Sequence, residues 1–134
     1  MAKPAAFFDT NVLVYLFSGD EAKAATAREL VRKGGSISVQ ALNEFVATGR
    51  RKLHMSWTDA ATAVAGFAAL CQVHPVTLET NREALELARR HGWHIYDALV
   101  VAAARQAGAD VLYTEDLQSG QKIGRLQIRN PFLG

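Results

Sequence analysis

A chain of 134 residues, 49% of them hydrophobic, can bury roughly two-thirds of the surface its unfolded form exposes, enough for one core, so residues 1–134 are expected to form a single domain. Fifteen Lys and Arg against 13 Asp and Glu leave a formal net charge of +2, too balanced to mark a nucleic-acid binder, so the partner class has to come from a site. The lone Cys71 excludes an internal disulfide and a thiolate zinc cluster, which fits a reducing cytosol, and its apolar neighbours make it a small core residue.

The first apolar run, residues 4–8, is cut off at Asp9. That is far short of a signal-peptide core or of the ~20 apolar residues that span a bilayer, so a cytoplasmic protein without membrane association is expected. Residues 5–8 read as a short buried strand ending in turn chemistry; helical spacing follows over 12–17 and 21–33 and stops at Gly34-Gly35. Residues 36–39 predict a second strand. Over 41–52, Leu42, Phe45 and Val46 fall on one helical stripe, and 59–71 predict an alanine-rich helix capped by Thr58 or Asp59. A third strand is expected over 73–76. Residues 81–91 and 96–107 read as helices, each followed by a glycine, Gly92 and Gly108, where a helix C-terminus favours one. Strands over 111–113 and 126–128 complete the series. About five short, continuously apolar strands separated by helices imply an α/β fold with a central parallel sheet covered on both faces.

Four carboxylates stand where apolar strand-like runs meet helix-like ones: Asp9, Glu44, Asp97 and Asp116. Ligands of parallel sheets gather at the carboxyl ends of the strands, which puts Asp9 and Asp116 on one rim. Glu44 and Asp97 must reach that rim from helices, and Asp97 opens a helix whose remainder, residues 98–104, is apolar on all sides. Acids brought together in partly buried backbone are costly to ionise, and a shared hard cation is the natural reason to gather them. Taken singly, each has an ordinary role. Asp9 and Asp97 suit helix N-caps, Glu44 a solvated helix position, and Asp116 a turn beside an equally acidic Glu115.

The segments Asp9-Thr10-Asn11-Val12-Leu13-Val14-Tyr15, Gln40-Ala41-Leu42-Asn43-Glu44-Phe45, Tyr96-Asp97-Ala98-Leu99 and Leu112-Tyr113-Thr114-Glu115-Asp116-Leu117 resemble, in order and spacing, the four motifs of PIN-domain nucleases. The resemblance covers nearly the whole chain, and at this size it points to the VapC-type toxins of prokaryotic toxin–antitoxin pairs. The ending Gly124-Arg125-Leu126-Gln127-Ile128-Arg129-Asn130-Pro131-Phe132 is similar to one branch of them. It implies a three-layer α/β/α fold and one or two Mg²⁺ or Mn²⁺ ions held by Asp9, Glu44, Asp97 and Asp116, with Thr10, Asn11, Thr114 and an auxiliary Glu115 around them. It further implies endoribonuclease activity leaving 5′-phosphate and 3′-hydroxyl ends, a homodimer, and a VapB-like antitoxin whose C-terminal segment enters beside the active site. The acids suit that chemistry, since carboxylate oxygens bind hard divalent ions and such ions activate water against a phosphodiester.

The remaining signals are weaker. Arg50 and Arg51, ahead of Lys52, close a helix whose dipole favours cations, yet they follow Glu44 on the same helix and are candidate phosphate contacts, as are Lys122 and Arg125 in the loop after Asp116. His91 and His94 flank a helix-ending Gly92, a poor frame for zinc, and read as surface or substrate-side residues. Phe45, Val46, Leu53, Met55, Trp57 and Phe67 are more apolar residues than one small core needs, and some of them are expected to face a partner. A dehalogenase-type phosphatase would need an aspartate where Asn11 stands, and no Gly-x-Gly-x-x-Gly or P-loop lysine motif follows a strand. The alternatives kept open are a PIN scaffold that binds RNA or protein without cutting, and a free-standing RNA-processing nuclease.

Overall fold

Phe7 and Phe8 set the plan of the molecule, because neighbours on a strand point to opposite faces of a sheet. In the computed structural model, which describes residues 4–133, both rings are fully buried. Phe7 joins a core with Leu87, Val101, Leu112 and Ile128. Phe8 joins another with Leu13, Ile37, Phe45 and Phe67. Two cores on opposite faces of one sheet make a three-layer α/β/α structure.

The elements alternate along the chain: β1 (Ala6–Phe8), α1 (Thr10–Tyr15), α2 (Glu21–Lys33), β2 (Ser36–Ser38), α3 (Val39–Lys52), α4 (Trp57–Leu70), β3 (Gln72–His74), α5 (Leu78–His91), α6 (Ile95–Gln106), β4 (Val111–Tyr113), β5 (Lys122–Ile123) and β6 (Leu126–Arg129). The sheet runs in the order β3-β2-β1-β4-β6-β5. All neighbours are parallel except β5, which pairs with β6 antiparallel. From β1 the chain first builds outward through β2 and β3, then crosses back to place β4 on the other side of β1. The β1–β4 junction is therefore the topological switch point, where loops leave in opposite directions and open a crevice at the carboxyl ends of the strands. Helices α5 and α6 cover the Phe7 face and α1 to α4 the Phe8 face.

Helix boundaries follow their caps. Ser38 ends β2 and caps α3, accepting the Ala41 N–H at 3.1 Å, so that helix begins at Val39 within the expected second strand. The α4 cap is Ser56, not Thr58 or Asp59. Asp59 instead completes a capping box, its carboxylate accepting the Ser56 N–H at 3.3 Å while the Ser56 hydroxyl accepts the Asp59 N–H at 3.0 Å. Thr77 starts α5 one turn earlier than apolar spacing alone predicts.

The sixth strand, β5, falls where a loop was expected. Gly124, at a φ of +61°, allows a two-residue turn between Ile123 and Leu126 that folds this edge into a hairpin. Of the six apolar residues expected in part to face a partner, Phe45, Met55 and Phe67 are buried in the molecule's own core, with Val46 and Leu53 packed on it. Only Trp57, 67% exposed, is left outside. The reason is that α3 and α4 pack on each other as well as on the sheet, so both flanks of each stripe are used. Cys71 is a buried free thiol in that core. No helix among the described residues is long and apolar enough to cross a membrane.

Candidate active site

Asp9 follows the last residue of β1 and Thr114 the last residue of β4, so the two face each other across the switch point. The Asp9 N–H still donates to the Tyr113 carbonyl at 3.0 Å, which carries the β1–β4 pairing up to the rim. Asp9 is the N-cap of α1, its Oδ1 accepting the Thr10 N–H at 2.7 Å. Its Oδ2 accepts the Thr114 hydroxyl at 2.7 Å. Both oxygens are thus held in place and the side chain has only 7% exposure. Burial pushes the Asp9 carboxyl up from 3.8 to about 7; the bonds from Thr114 and Thr10 oppose that rise, and the charges of Asp116 and Glu44 add to it.

Thr114 organises the other side of the crevice. Its fully buried hydroxyl oxygen accepts the Asp116 N–H at 3.1 Å and the Asn11 amide at 3.4 Å while donating to Asp9. Asn11 also donates to Asp116 Oδ2 at 3.1 Å, which leaves Asn11 Oδ1 buried with no hydrogen-bond partner among the described residues. Glu44 comes from the second turn of α3 and accepts the Thr10 hydroxyl at 3.1 Å.

Asp97 stands at the third position of α6 and does not cap it. The cap is His94, whose Nδ1 accepts the Tyr96 N–H at 3.2 Å. Beyond Asp97 the helix is sunk between the sheet and α5, with Ala98 and Val100 to Ala104 all buried, so its first turn is fixed at the rim by the burial of the rest.

The four acids therefore come from four separate elements and feel one another. Burial raises Glu44, with Asp97 and Asp116 adding to the rise and the Thr10 bond opposing it. Burial raises Asp97 as well, with Asp116 adding and His94 opposing. Among the described residues no three His, Cys, Asp or Glu side chains stand close enough to form a ready-made chelate. The donors are nevertheless hard oxygens, the unpartnered Asn11 Oδ1 included, and Mg²⁺ keeps several waters and needs only one or two carboxylates. The residues present fit a hydrated divalent ion.

Glu115 points elsewhere. Its Oε1 accepts the Tyr15 hydroxyl at 2.6 Å and its Oε2 lies 3.5 Å from Lys23 Nζ, which also donates to Tyr15 at 3.0 Å. Phe132 packs edge-on against Tyr15 at 4.7 Å. Glu115 thus ties the loop after β4 to α1, α2 and the C-terminal segment, and is turned from the acids it was expected to assist. Tyr15 and Lys23 escaped the reading of the sequence, although Asn11 and Tyr15 lie four apart on α1 and so share the face turned to that loop.

The basic residues are dispersed. Arg50 lies over the Trp57 ring at 4.2 Å and donates to the Met55 carbonyl at 2.8 Å, closing the turn between α3 and α4. Arg51 is exposed at the end of α3. Lys122 pairs with Gln127, itself opposite Val111, and Arg125 bonds Gly108 and Asp110. Both sit at the end of the sheet where β4 begins, opposite to Asp116, and the structure does not bring them to the acids.

The family model described as PIN domain matches residues 6–122. Comparison with curated proteins gives no match. Among solved structures, the chain is similar to a toxin–antitoxin complex from Klebsiella pneumoniae, with a TM-score of 0.72, 17% identity, and coverage of 96% of this chain and 98% of that one. It is also similar to VapC20 of Mycobacterium tuberculosis, described as a toxin that cleaves the sarcin–ricin loop, with a TM-score of 0.68, 24% identity and coverage of 84% and 92%. DNA-bound VapBC from Salmonella typhimurium aligns with a TM-score of 0.66, 20% identity and coverage of 96% and 99%. At these identities the likeness is one of fold.

Proposed function

Because the chain belongs to the PIN domain family, we propose that it is a Mg²⁺- or Mn²⁺-dependent endoribonuclease, the toxin of a VapBC-type pair, with Asp9, Glu44, Asp97 and Asp116 as its metal-binding and catalytic acids. One observation carries this reading. Carboxylates from four elements are gathered at the carboxyl rim of a parallel sheet, at its switch point, and repulsion from neighbouring acids adds to burial in raising the proton affinity of Asp9, Glu44 and Asp97. A scaffold that bound RNA or protein without cutting it would have no use for that repulsion.

The residues divide the work. Asp9, clamped by Thr10 and Thr114, offers two oxygens whose directions are set before anything binds, and its raised proton affinity is relieved only by a positive charge beside it. Thr114 and Asn11 hold Asp116 at the mouth of the crevice, and Thr10 steadies Glu44. A bound divalent ion would activate a water and neutralise charge on the phosphodiester during in-line attack, leaving 5′-phosphate and 3′-hydroxyl ends. For the antitoxin, the supporting feature is an apolar groove of about 590 Å³ between the end of α1 and α4, lined by Leu16, Phe17, Met55, Phe67 and Leu70. Similar folds occur in complexes described as toxin–antitoxin pairs. A homodimer would give exposed Trp57 and Leu70 a place to be covered. A free-standing RNA-processing nuclease would share the acids and lack the antitoxin.

The test is cleavage of single-stranded RNA with Mg²⁺ or Mn²⁺ by the wild type, Asp9→Asn and Asp97→Asn. Loss of cleavage in both folded variants and in EDTA is expected; full activity in either variant, or in EDTA, overturns the metal-nuclease reading. Growth arrest on expression, relieved by a small adjacent gene, separates the toxin from the free-standing enzyme.

A further inference from the structure

The turn from α5 into α6 carries four flat rings in six residues, His91, Trp93, His94 and Tyr96, immediately before Asp97. They form two pairs. His91 stacks on Trp93 with centroids 4.4 Å apart and planes 18° from parallel, and Trp93 is in turn packed on the core beneath α6. His94 and Tyr96 lie 5.3 Å apart at 34°. The second pair is the one left open. Tyr96 is 55% exposed, a large aromatic surface presented to solvent one residue from a carboxylate of the candidate site. Its place is fixed, since its own N–H is bonded to the His94 Nδ1 and the helix that follows is buried.

An exposed ring with a rigid backbone and a second ring behind it has little conformational freedom to lose when another flat group covers it. Nucleobases are such groups, and they stack on aromatic side chains regardless of sequence because every base has a π-face. Phosphate contacts fix the path of a strand, and stacking fixes the register of its bases. Of the expected cationic contacts, Lys122 and Arg125 lie at the other end of the sheet and Arg50 is engaged by Trp57 and the Met55 carbonyl, which leaves room for stacking to orient a strand at this rim.

We infer that Tyr96, backed by His94, is a stacking platform for a base of single-stranded RNA adjoining the phosphodiester held at Asp97. This assignment rests on the nuclease reading above and makes Tyr96 a substrate-positioning residue. An aromatic platform of this kind demands an unpaired base, which selects single-stranded over duplex RNA.

The test uses the full chain and a single-stranded RNA oligonucleotide carrying one 2-aminopurine at successive positions, with steady-state cleavage of the same strand. Stacking quenches 2-aminopurine at one position relative to the scissile bond in the wild type. Tyr96→Ala should abolish that quenching and raise KM about tenfold, with kcat changed less than about threefold. Tyr96→Phe and Tyr96→Trp should retain both properties, and Tyr96→Leu should behave as Tyr96→Ala does. The ring is exposed, so melting temperatures should agree among all four. Cleavage by the wild type with KM and quenching unchanged in Tyr96→Ala overturns the platform alone. Rescue of KM by Tyr96→Leu overturns it too, because bulk then suffices. A wild type that neither binds nor cuts the RNA overturns the nuclease reading together with the platform.

Discussion

Replacing Asp9 with Asn should stabilise the metal-free protein at neutral pH, against the usual consequence of altering a buried residue. The Asp9 carboxyl is held at about 7 against an ordinary 3.8, which at about 1.4 kcal/mol per pH unit is about 4 kcal/mol of folding stability forfeited when the group ionises. The sign follows from proton binding. Below about pH 4 both folded and unfolded Asp9 are protonated and the cost is nil. As pH rises toward 7 the unfolded chain gives up its proton first, so the wild type loses stability over that window and levels off above it. Asn does not titrate. Its Oδ1 still accepts the Thr10 N–H, while its Nδ2 can donate to the Thr114 hydroxyl, which already accepts from the Asp116 N–H and the Asn11 amide, only by displacing the long 3.4 Å bond from Asn11, at a cost of about 1 kcal/mol. Urea unfolding in EDTA at a series of pH values from 4.5 to 8 is the assay. Asp9→Asn should lie about 1 kcal/mol below the wild type at the acid end and exceed it by about 3 kcal/mol at pH 8. At that pH its melting temperature should be higher by roughly 10 °C, given a few degrees per kcal/mol for a domain of this size. A variant that is less stable at pH 8, or a difference that does not change with pH, would refute burial of an ionisable Asp9 beside other acids.

Other expectations follow from the same geometry. Millimolar Mg²⁺ or Mn²⁺ should raise the wild-type melting temperature by relieving repulsion among the acids, and Asp116→Asn should show a smaller rise; equal shifts in a thermal-melt titration would place the ion elsewhere. Thr114→Val removes the donor to Asp9 and the acceptor for the Asp116 N–H and the Asn11 amide. It should therefore destabilise the fold by about 2 kcal/mol and lower cleavage, measured by urea unfolding and by RNA gel assay; an unaltered midpoint would deny the hydroxyl its organising place. Tyr15→Phe leaves Glu115 with Lys23 alone and should cost about 1 kcal/mol, with a smaller loss of cleavage than Asp97→Asn; a loss equal to that of Asp97→Asn would return Glu115 to the metal site.

Much of this molecule was legible in the order of its residues, for local reasons. Short apolar strands, glycine at helix ends and acids at strand ends are near-neighbour patterns, and they were enough to predict a parallel sheet between helices, the span of β4 and the rim on which Asp9 and Asp116 meet. The four motifs added the family, which the PIN domain match confirms over residues 6–122. Caps were less legible. Asp97 looks like a cap because it opens an apolar helix, but a cap is decided by which backbone residue is extended, and that residue is His94. What sequence cannot hold is the meeting of residues far apart in the chain. The Thr114 hydroxyl joins Asp9, Asn11 and Asp116 only because β1 and β4 are neighbours in the sheet. Glu115 and Asp116 are adjacent and chemically alike, yet one is taken by Tyr15 and Lys23 and the other faces Asn11, since successive side chains in this bent loop leave in different directions. The same holds for the apolar surplus of α3 and α4, where sequence counts hydrophobic residues but only packing decides that the molecule's own core consumes five of the six and leaves Trp57 outside.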